Sequence, residues 1–266
     1  MTRPLLAIVL VAATASAVPA GQTPIVSPTY PTRAPNPNLQ RFDPAASVWR
    51  TRATDHFDIY HTQQADLDEI AREAERAYSL VSFDLRHDLS VKVPLILLPT
   101  NRDLPRDRQE AAAIVRASGA APDVDHLLLP VEPRDRRTTD LVHELTHIFQ
   151  FELVPINRVP RWAAEGLADH MTGTWEPSDL LKIREVAAAG SIPSVASLTD
   201  SDRAWGHAVF SFVAAEYGAQ GVRRYLIALR DTSGSPGDIV RAAFSVAPAD
   251  FDRAFHDYVR TRLIQR

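Results

Sequence analysis

The 266-residue sequence contains no cysteine. This absence excludes disulfide scaffolds, thiol nucleophiles and structural zinc sites with cysteine ligands. It also excludes a lipoprotein anchor, which requires a cysteine directly after the export signal. Lysine is almost absent too: Lys92 and Lys182 are the only two, so arginine carries nearly all of the positive charge.

The charge balance is unremarkable and slightly acidic. The formal net charge is -4, with 45% apolar and 23% charged residues. Such a composition is typical of a globular protein, and the length suits one large domain or two closely packed lobes. No arginine cluster is long enough to follow a phosphate backbone, so we expect no nucleic-acid partner.

The first twenty residues have the three parts of an export signal. Arg3 supplies the positive charge, residues 5–11 form the apolar core, and residues 15–17 read A-S-A, a cleavage-site pattern. A second candidate cleavage site follows Ala20. The apolar stretch is shorter than the ~20 residues that a spanning helix needs, so cleavage is favoured over anchoring. We therefore predict a secreted or periplasmic protein with no stable membrane anchor after signal cleavage; its oligomeric state is open.

The remaining chain divides by composition. Residues 21–48 are rich in proline and predict an extended strap or linker. One hypothesis is that this segment inhibits the domain that follows. Residues 49–266 predict that domain, with a mixed-sheet part over 49–136 and a helical part over 137–266.

The hydrophobic periodicity predicts an α+β fold, in which a small N-terminal mixed β-sheet with a packed helix precedes a mostly helical lobe. Pro94 inside the second strand favours a place at the sheet edge, and Pro130 should end the third strand. The predicted strands are His56–Tyr60, Val91–Leu98 and Val124–Leu129. The predicted helices are Asp66–Leu85, His143–Phe151, Arg161–Met171, Ser178–Ala188, Ser201–Tyr217, Gln220–Arg230, Ser235–Phe244 and Pro248–Leu263.

The chemistry centres on residues 143–147, which read H-E-L-T-H. Residues four apart lie on the same face of a helix, so His143 and His147 can bind one ion. Zinc accepts two neutral imidazoles and a carboxylate and keeps a fourth position for water. Glu144 lies beside that face, where it can take a proton from the water as a general base.

This pattern alone is weak, because roughly one or two chains per hundred of this length contain H-E-x-x-H by chance. The alternative interpretation is a solvated helix face with two ordinary histidines. Bulky apolar residues around the polar triplet favour a buried helix instead, in which unpaired imidazoles and carboxylates would be costly. They are Leu141, Val142, Leu145, Ile148 and Phe149.

A third ligand is needed. The longer H-E-x-x-H-x-x-G-x-x-H pattern fails, because Gln150 and Leu153 occupy its glycine and histidine positions. Glu165 is the candidate instead, on a second helix that starts after Pro160. Asp169 lies four residues later on the same face and can accept a hydrogen bond from the far nitrogen of a ligand histidine. On their own, these two acidic residues would be interpreted as a solvated stripe.

Residues 143–147 together with residues 160–169, which read P-R-W-A-A-E-G-L-A-D, resemble the gluzincin clan of zinc metallopeptidases, most closely its peptidase MA-like family. The resemblance extends over most of the predicted mature chain, although only these two motifs are specific. It implies Zn²⁺ bound by His143, His147 and Glu165, with Glu144 as general base and Asp169 behind a ligand histidine.

The group that would stabilise the oxyanion is not identified by either motif. His207 is our first candidate, and a structural histidine is the alternative. Tyr217 and Tyr225 are weaker candidates, because their spacing suits core packing. His170 should point away from Asp169 and be structural or lie at a cleft rim. The strand at 124–129 is either a core strand or an edge that holds an extended peptide.

Three functions follow from these residues. The first is a zinc-dependent peptidase acting on a peptide or protein substrate outside the cytoplasm. The second keeps the zinc site but hydrolyses an amide or ester that is not a protein. The third is a non-catalytic binding module with the same fold, which the complete set of ligands and base disfavours. Cleavage specificity and the choice between internal and terminal cleavage stay open.

Overall fold

The structure is a computed structural model that describes residues 41–62, 66–122, 124–132 and 134–265. The predicted export signal and most of the predicted strap lie outside these residues. The described residues divide into two compact units, one made of those up to Tyr78 together with those of Ser90–Leu141, the other of Ser79–Leu89 together with the described residues from Val142 onward. No helix in the described part is both long and apolar enough to cross a membrane.

The first unit contains a four-stranded mixed sheet in the order β1-β2-β3-β4. The first two strands pair antiparallel, and the other two pairings are parallel. The strands are β1 (Arg50–Ala53), β2 (Phe57–His61), β3 (Val93–Thr100) and β4 (Leu127–Glu132). The helices that connect them are α1 (Leu67–Leu85) and α2 (Arg108–Ser118), and α1 continues into the second unit.

Helices cover both faces of this sheet, which explains the continuous apolar run in β3. On one face, Tyr78 of α1 contacts Phe57 of β2 edge to face at 6.2 Å. On the other face, Ile96 and Leu98 belong to a buried cluster with residues of α2. Successive side chains of a strand point to opposite faces, so a strand between two helical layers is apolar at every position.

The last residues of the predicted strap are fixed against this unit. Arg41 donates hydrogen bonds to the carboxylate of Glu110 and to the carbonyl oxygen of Leu104. Phe42 and Trp49 pack against the cluster between the sheet and α2. The chain is therefore held to the first unit from Arg41 onward.

The second unit is helical. It contains α4 (Arg161–Met171), α5 (Pro177–Ala188), α6 (Arg203–Asp231), α7 (Pro236–Phe244) and α8 (Pro248–Tyr258), and most of α3 (Arg137–Leu153). Gly218 interrupts α6 with φ +67°, so this element is two helical segments joined at a kink. An aromatic cluster holds α6, α7 and α8 together: Phe212, Tyr217, Phe244, Phe251 and Phe255.

Helices α4 and α6 cross at two glycines. A Cβ atom on Gly206 would lie 2.0 Å from the carbonyl oxygen of Trp162, and one on Gly166 would lie 2.3 Å from the carbonyl carbon of Gly206. The two backbones therefore approach more closely than any side chain would permit. This contact brings the start of α6 against the face of α4 that carries Glu165 and Asp169.

The predicted α+β class, with its small mixed sheet and helical part, is confirmed. Several details are wrong. β1 and α2 were not predicted, and β4 continues through Pro130 to Glu132. Pro94 lies in the inner strand β3 rather than at an edge. It is the second residue of that strand, close to the end, where a missing N–H donor costs least.

Candidate metal centre

Helix α3 presents the two histidines of the H-E-x-x-H sequence one turn apart. Their ring centroids are 4.9 Å apart and the rings are nearly perpendicular, at 86°. Phe151 stacks on His147 at 5.8 Å and fixes the plane of that ring. His147 is buried and His143 nearly so.

Helix α4 brings Glu165 to the same place. The Nε2 atom of His143 lies 3.7 Å from Oε2 of Glu165. One atom from each of His143, His147 and Glu165 lies within 4.8 Å of the other two. A point inside such a triangle lies no more than about 2.8 Å from each of the three atoms. If each atom moves about 0.7 Å toward that point, the distances become the 2.0–2.2 Å of zinc ligands.

Asp169 lies behind the first histidine. Its Oδ1 atom is 3.3 Å from Nδ1 of His143. In the neutral imidazole, a carboxylate at Nδ1 holds the proton on that nitrogen, so Nε2, which faces Glu165, has the free lone pair. The contact therefore presents His143 in the tautomer that a metal needs.

Arg203, at the start of α6, holds both carboxylates. Its guanidinium forms a two-point contact with Asp169, with Nε and Nη2 each 2.5 Å from a carboxylate oxygen. Its Nη1 atom lies 3.4 Å from Oε2 of Glu165. The sequence analysis missed this residue, because it lies 34 positions after Asp169 and no local pattern marks it.

The ionisable groups of this cluster shift one another's pKa values. Burial alone would lower the pKa of His143, but the surrounding carboxylates raise it to about 10. Burial would raise the pKa of Glu165, but His143, His147 and Arg203 lower it to about 2. Burial lowers the pKa of His147 to about 4. In the metal-free protein, one proton on His143 therefore sits where a metal ion would bind.

Glu144 lies next to the ligands on α3. Its Oε1 atom is 3.9 Å from Nε2 of His143, and the residue is buried. This position is within reach of a water molecule beside the three ligand atoms without making Glu144 a ligand of the triangle. The role of Glu144 as a general base stays a prediction.

The three candidates for oxyanion stabilisation lie in the second unit. His207 is buried and stacks on Trp175 at 3.6 Å, with His170 at 6.1 Å. Tyr225 and Tyr217 belong to the aromatic packing around Phe244. These positions do not single out an oxyanion-stabilising residue.

The described contacts of His170 are with residues of α6. Its Nδ1 atom lies 3.2 Å from the hydroxyl oxygen of Ser211, and burial lowers its pKa to about 4. The predicted strand at 124–129 overlaps β4, which is an edge strand of the sheet. Whether β4 binds an extended peptide stays a prediction.

The donor set fits a zinc ion: two imidazoles and one carboxylate, with one imidazole already oriented by a carboxylate. Comparisons with family models, curated proteins and solved structures find no match. The function must therefore be inferred from the site itself.

Proposed function

We propose that the protein is a secreted or periplasmic zinc-dependent peptidase, as its resemblance to the gluzincins implies. The observation that carries the proposal is the triangle of His143, His147 and Glu165, whose ligand atoms lie within 4.8 Å of one another. The three side chains converge from two helices, with His147 buried and His143 and Glu165 mostly buried. Two imidazoles and one carboxylate arranged in this way form a donor set that zinc accepts.

A zinc ion at these ligands would act as a Lewis acid that lowers the pKa of water and polarises the substrate carbonyl. Glu144 would accept the proton of the attacking water and deliver it to the leaving amine. Its position beside His143, 3.9 Å from Nε2, suits both transfers. Asp169 would hold the proton on Nδ1 of His143, and Arg203 would keep Asp169 and Glu165 ionised and in place.

Hydrolysis of a mixture of fluorescence-quenched peptides by the zinc-loaded protein tests this proposal. Glu144→Gln should abolish cleavage while zinc stays bound, because it removes the proton acceptor but no ligand. Loss of a general base reduces rates about 10²–10⁴-fold. Glu152→Gln is the matched control: this glutamate lies two turns further along α3 and is exposed. It should leave the rate unchanged.

Three other outcomes would contradict the proposal in different ways. Cleavage of small esters or amides without cleavage of peptides indicates a hydrolase of non-protein substrates. Zinc binding without any turnover indicates a binding module. Equal activity of the Glu144→Gln variant and the parent refutes the proposed role of Glu144.

The proposed location has its own test. If the first twenty residues direct export, the protein recovered outside the cytoplasm begins at Val18 or Gly21, after one of the two candidate cleavage sites. N-terminal sequencing distinguishes these products. Full-length protein confined to the cytoplasm would contradict the export signal.

A further inference from the structure

Three buried polar atoms close to the ligand triangle lack a hydrogen-bond partner among the residues that the structure describes. They are Nδ1 of His147 and both amide atoms, Oε1 and Nε2, of Gln150. Gln150 is fully buried. The large majority of buried side-chain polar atoms in proteins have a hydrogen-bond partner, so three such atoms together require an explanation.

The two ligand histidines differ in this respect. Nδ1 of His143 has Asp169 at 3.3 Å, whereas Nδ1 of His147 has no described acceptor. A histidine that binds a metal through one nitrogen donates the N–H of its other nitrogen to an acceptor, which fixes both tautomer and ring orientation. His147 needs such an acceptor if it is to bind zinc.

We propose that Gln150 positions His147 for metal binding through one buried water, which accepts a hydrogen bond from Nδ1–H of His147 and donates one to the amide oxygen of Gln150. This inference rests on the proposed function, since it assigns a role toward the same zinc ion. It makes Gln150 the counterpart of Asp169, with one positioning residue for each ligand histidine.

The helix geometry favours this pairing. Residues three apart on a helix are neighbours, with Cβ atoms about 5–6 Å apart, a gap that the glutamine side chain and one water can bridge. A buried water needs two to four polar partners, and the imidazole and the amide supply three atoms. The nearest other polar side chain along α3, Thr146, already donates its hydroxyl to the carbonyl oxygen of Val142.

Phe151 stacks on His147 but cannot supply the hydrogen-bond acceptor that Nδ1 of this histidine needs. Phe151 lies parallel to the His147 ring, at an interplanar angle of 8°. A ring on that face restricts tilting of the imidazole but cannot accept a hydrogen bond in the imidazole plane. Rotation within the plane must be restrained by an acceptor at Nδ1, and Gln150 is placed to supply it.

The test compares zinc affinity in three variants, measured by competition with a chromogenic chelator. Gln150→Leu removes the acceptor but nearly keeps the volume, and should weaken zinc binding about 10–100-fold. Gln150→Glu keeps an acceptor oxygen and should restore affinity to within about threefold of the parent protein. Thr146→Val is the control, a polar-to-apolar change at a fully buried position of α3, and should not change zinc affinity.

The melting temperature of the metal-free protein separates this role from a merely structural one. Loss of one neutral hydrogen bond costs about 0.5–1.5 kcal/mol, so metal-free Gln150→Leu should melt within about 5 °C of the parent while its zinc affinity falls. A merely structural glutamine would instead lower the melting temperature and leave the zinc affinity unchanged. The resonance of the Nδ1 proton of His147 in the zinc protein provides a second readout. In the parent it should exchange slowly with water, and in Gln150→Leu it should broaden or disappear.

Two results overturn the inference, and they differ. If the parent binds zinc and Gln150→Leu binds it with equal affinity, Gln150 does not position His147, although the zinc site stands. If the parent does not bind zinc at all, the proposed function fails and the role of Gln150 fails with it. A failure of Gln150→Leu to fold leaves the Gln150→Glu affinity and the Nδ1 resonance of the parent as the deciding measurements.

Discussion

The close crossing of α4 and α6 makes Gly206→Ala a sharp test of how the site is held together. A Cβ atom at this position would lie 2.0 Å from the carbonyl oxygen of Trp162 and 3.1 Å from the Cα atom of Gly166. Both neighbours are backbone, so no side chain can rotate away. The helices must separate by about 1 Å or more, and Arg203 moves with α6 away from Asp169.

Two opposing effects set the magnitude of this change. Alanine is a better helix former than glycine by about 1 kcal/mol, which favours the variant. Overpacking a tight interface costs about 1–3 kcal/mol and occasionally more, and contact with rigid backbone places this case at or above the upper end. We expect a net loss of about 2–3 kcal/mol, which lowers the melting temperature by about 5–10 °C for a chain of this size.

Calorimetry or circular dichroism melting measures this shift. The matched control is Gly237→Ala in α7, where a Cβ atom would meet the ring of Pro248 at 3.1 Å and 3.4 Å and the hydroxyl oxygen of Ser235 at 3.6 Å. That variant should melt within about 2 °C of the parent, since the helix preference offsets a mild contact. A Gly206→Ala protein that melts at or above the parent temperature would refute the close crossing.

Two further predictions concern the ligands. Asp169→Asn should weaken zinc binding about 10–100-fold, as removal of carboxylate support behind a ligand histidine does, and chelator competition measures the change. Zinc affinity should also rise with pH by about tenfold per unit between pH 6 and 9, because the pKa of His143 is raised to about 10 and zinc must displace that proton. Calorimetric titration in buffers of different ionisation enthalpy should detect the released proton, and a pH-independent affinity over this range would show that His143 is already neutral.

The fold class was predictable from periodicity, but two elements were not. Strand β1 has four residues, and every one is exposed or only partly buried. Helix α2 has eleven residues, but its buried face carries only two large apolar side chains, Ile114 and Val115, so its periodicity is weak. The limits of β4 were misjudged because Pro130 was taken as a stop signal. At the end of the sheet order, its missing donor costs nothing on the side without a neighbouring strand.

The parts of the candidate site that lie within one helical turn in the sequence were predictable. His143 and His147 are fixed by one helical turn, and Glu165 with Asp169 by another, so their placement follows from two short motifs. Arg203 and the glycine crossing depend on where α6 packs, and nothing near Arg203 in the sequence indicates its two carboxylate partners. Gly166 is part of the second motif, but the sequence does not show why a glycine is needed there. The structure does, because the backbone of Gly206 leaves no room for a Cβ atom.

The most direct test of the zinc site is the amount of zinc bound per chain, measured by elemental analysis on the purified protein and on two variants. We predict about one zinc per chain in the parent, a large loss in Glu165→Ala because a ligand is gone, and full retention in Glu144→Gln because the base is not a ligand. A parent protein that carries no zinc and cannot be loaded with it would contradict the metal centre. The H-E-x-x-H sequence would then be an ordinary buried helix face.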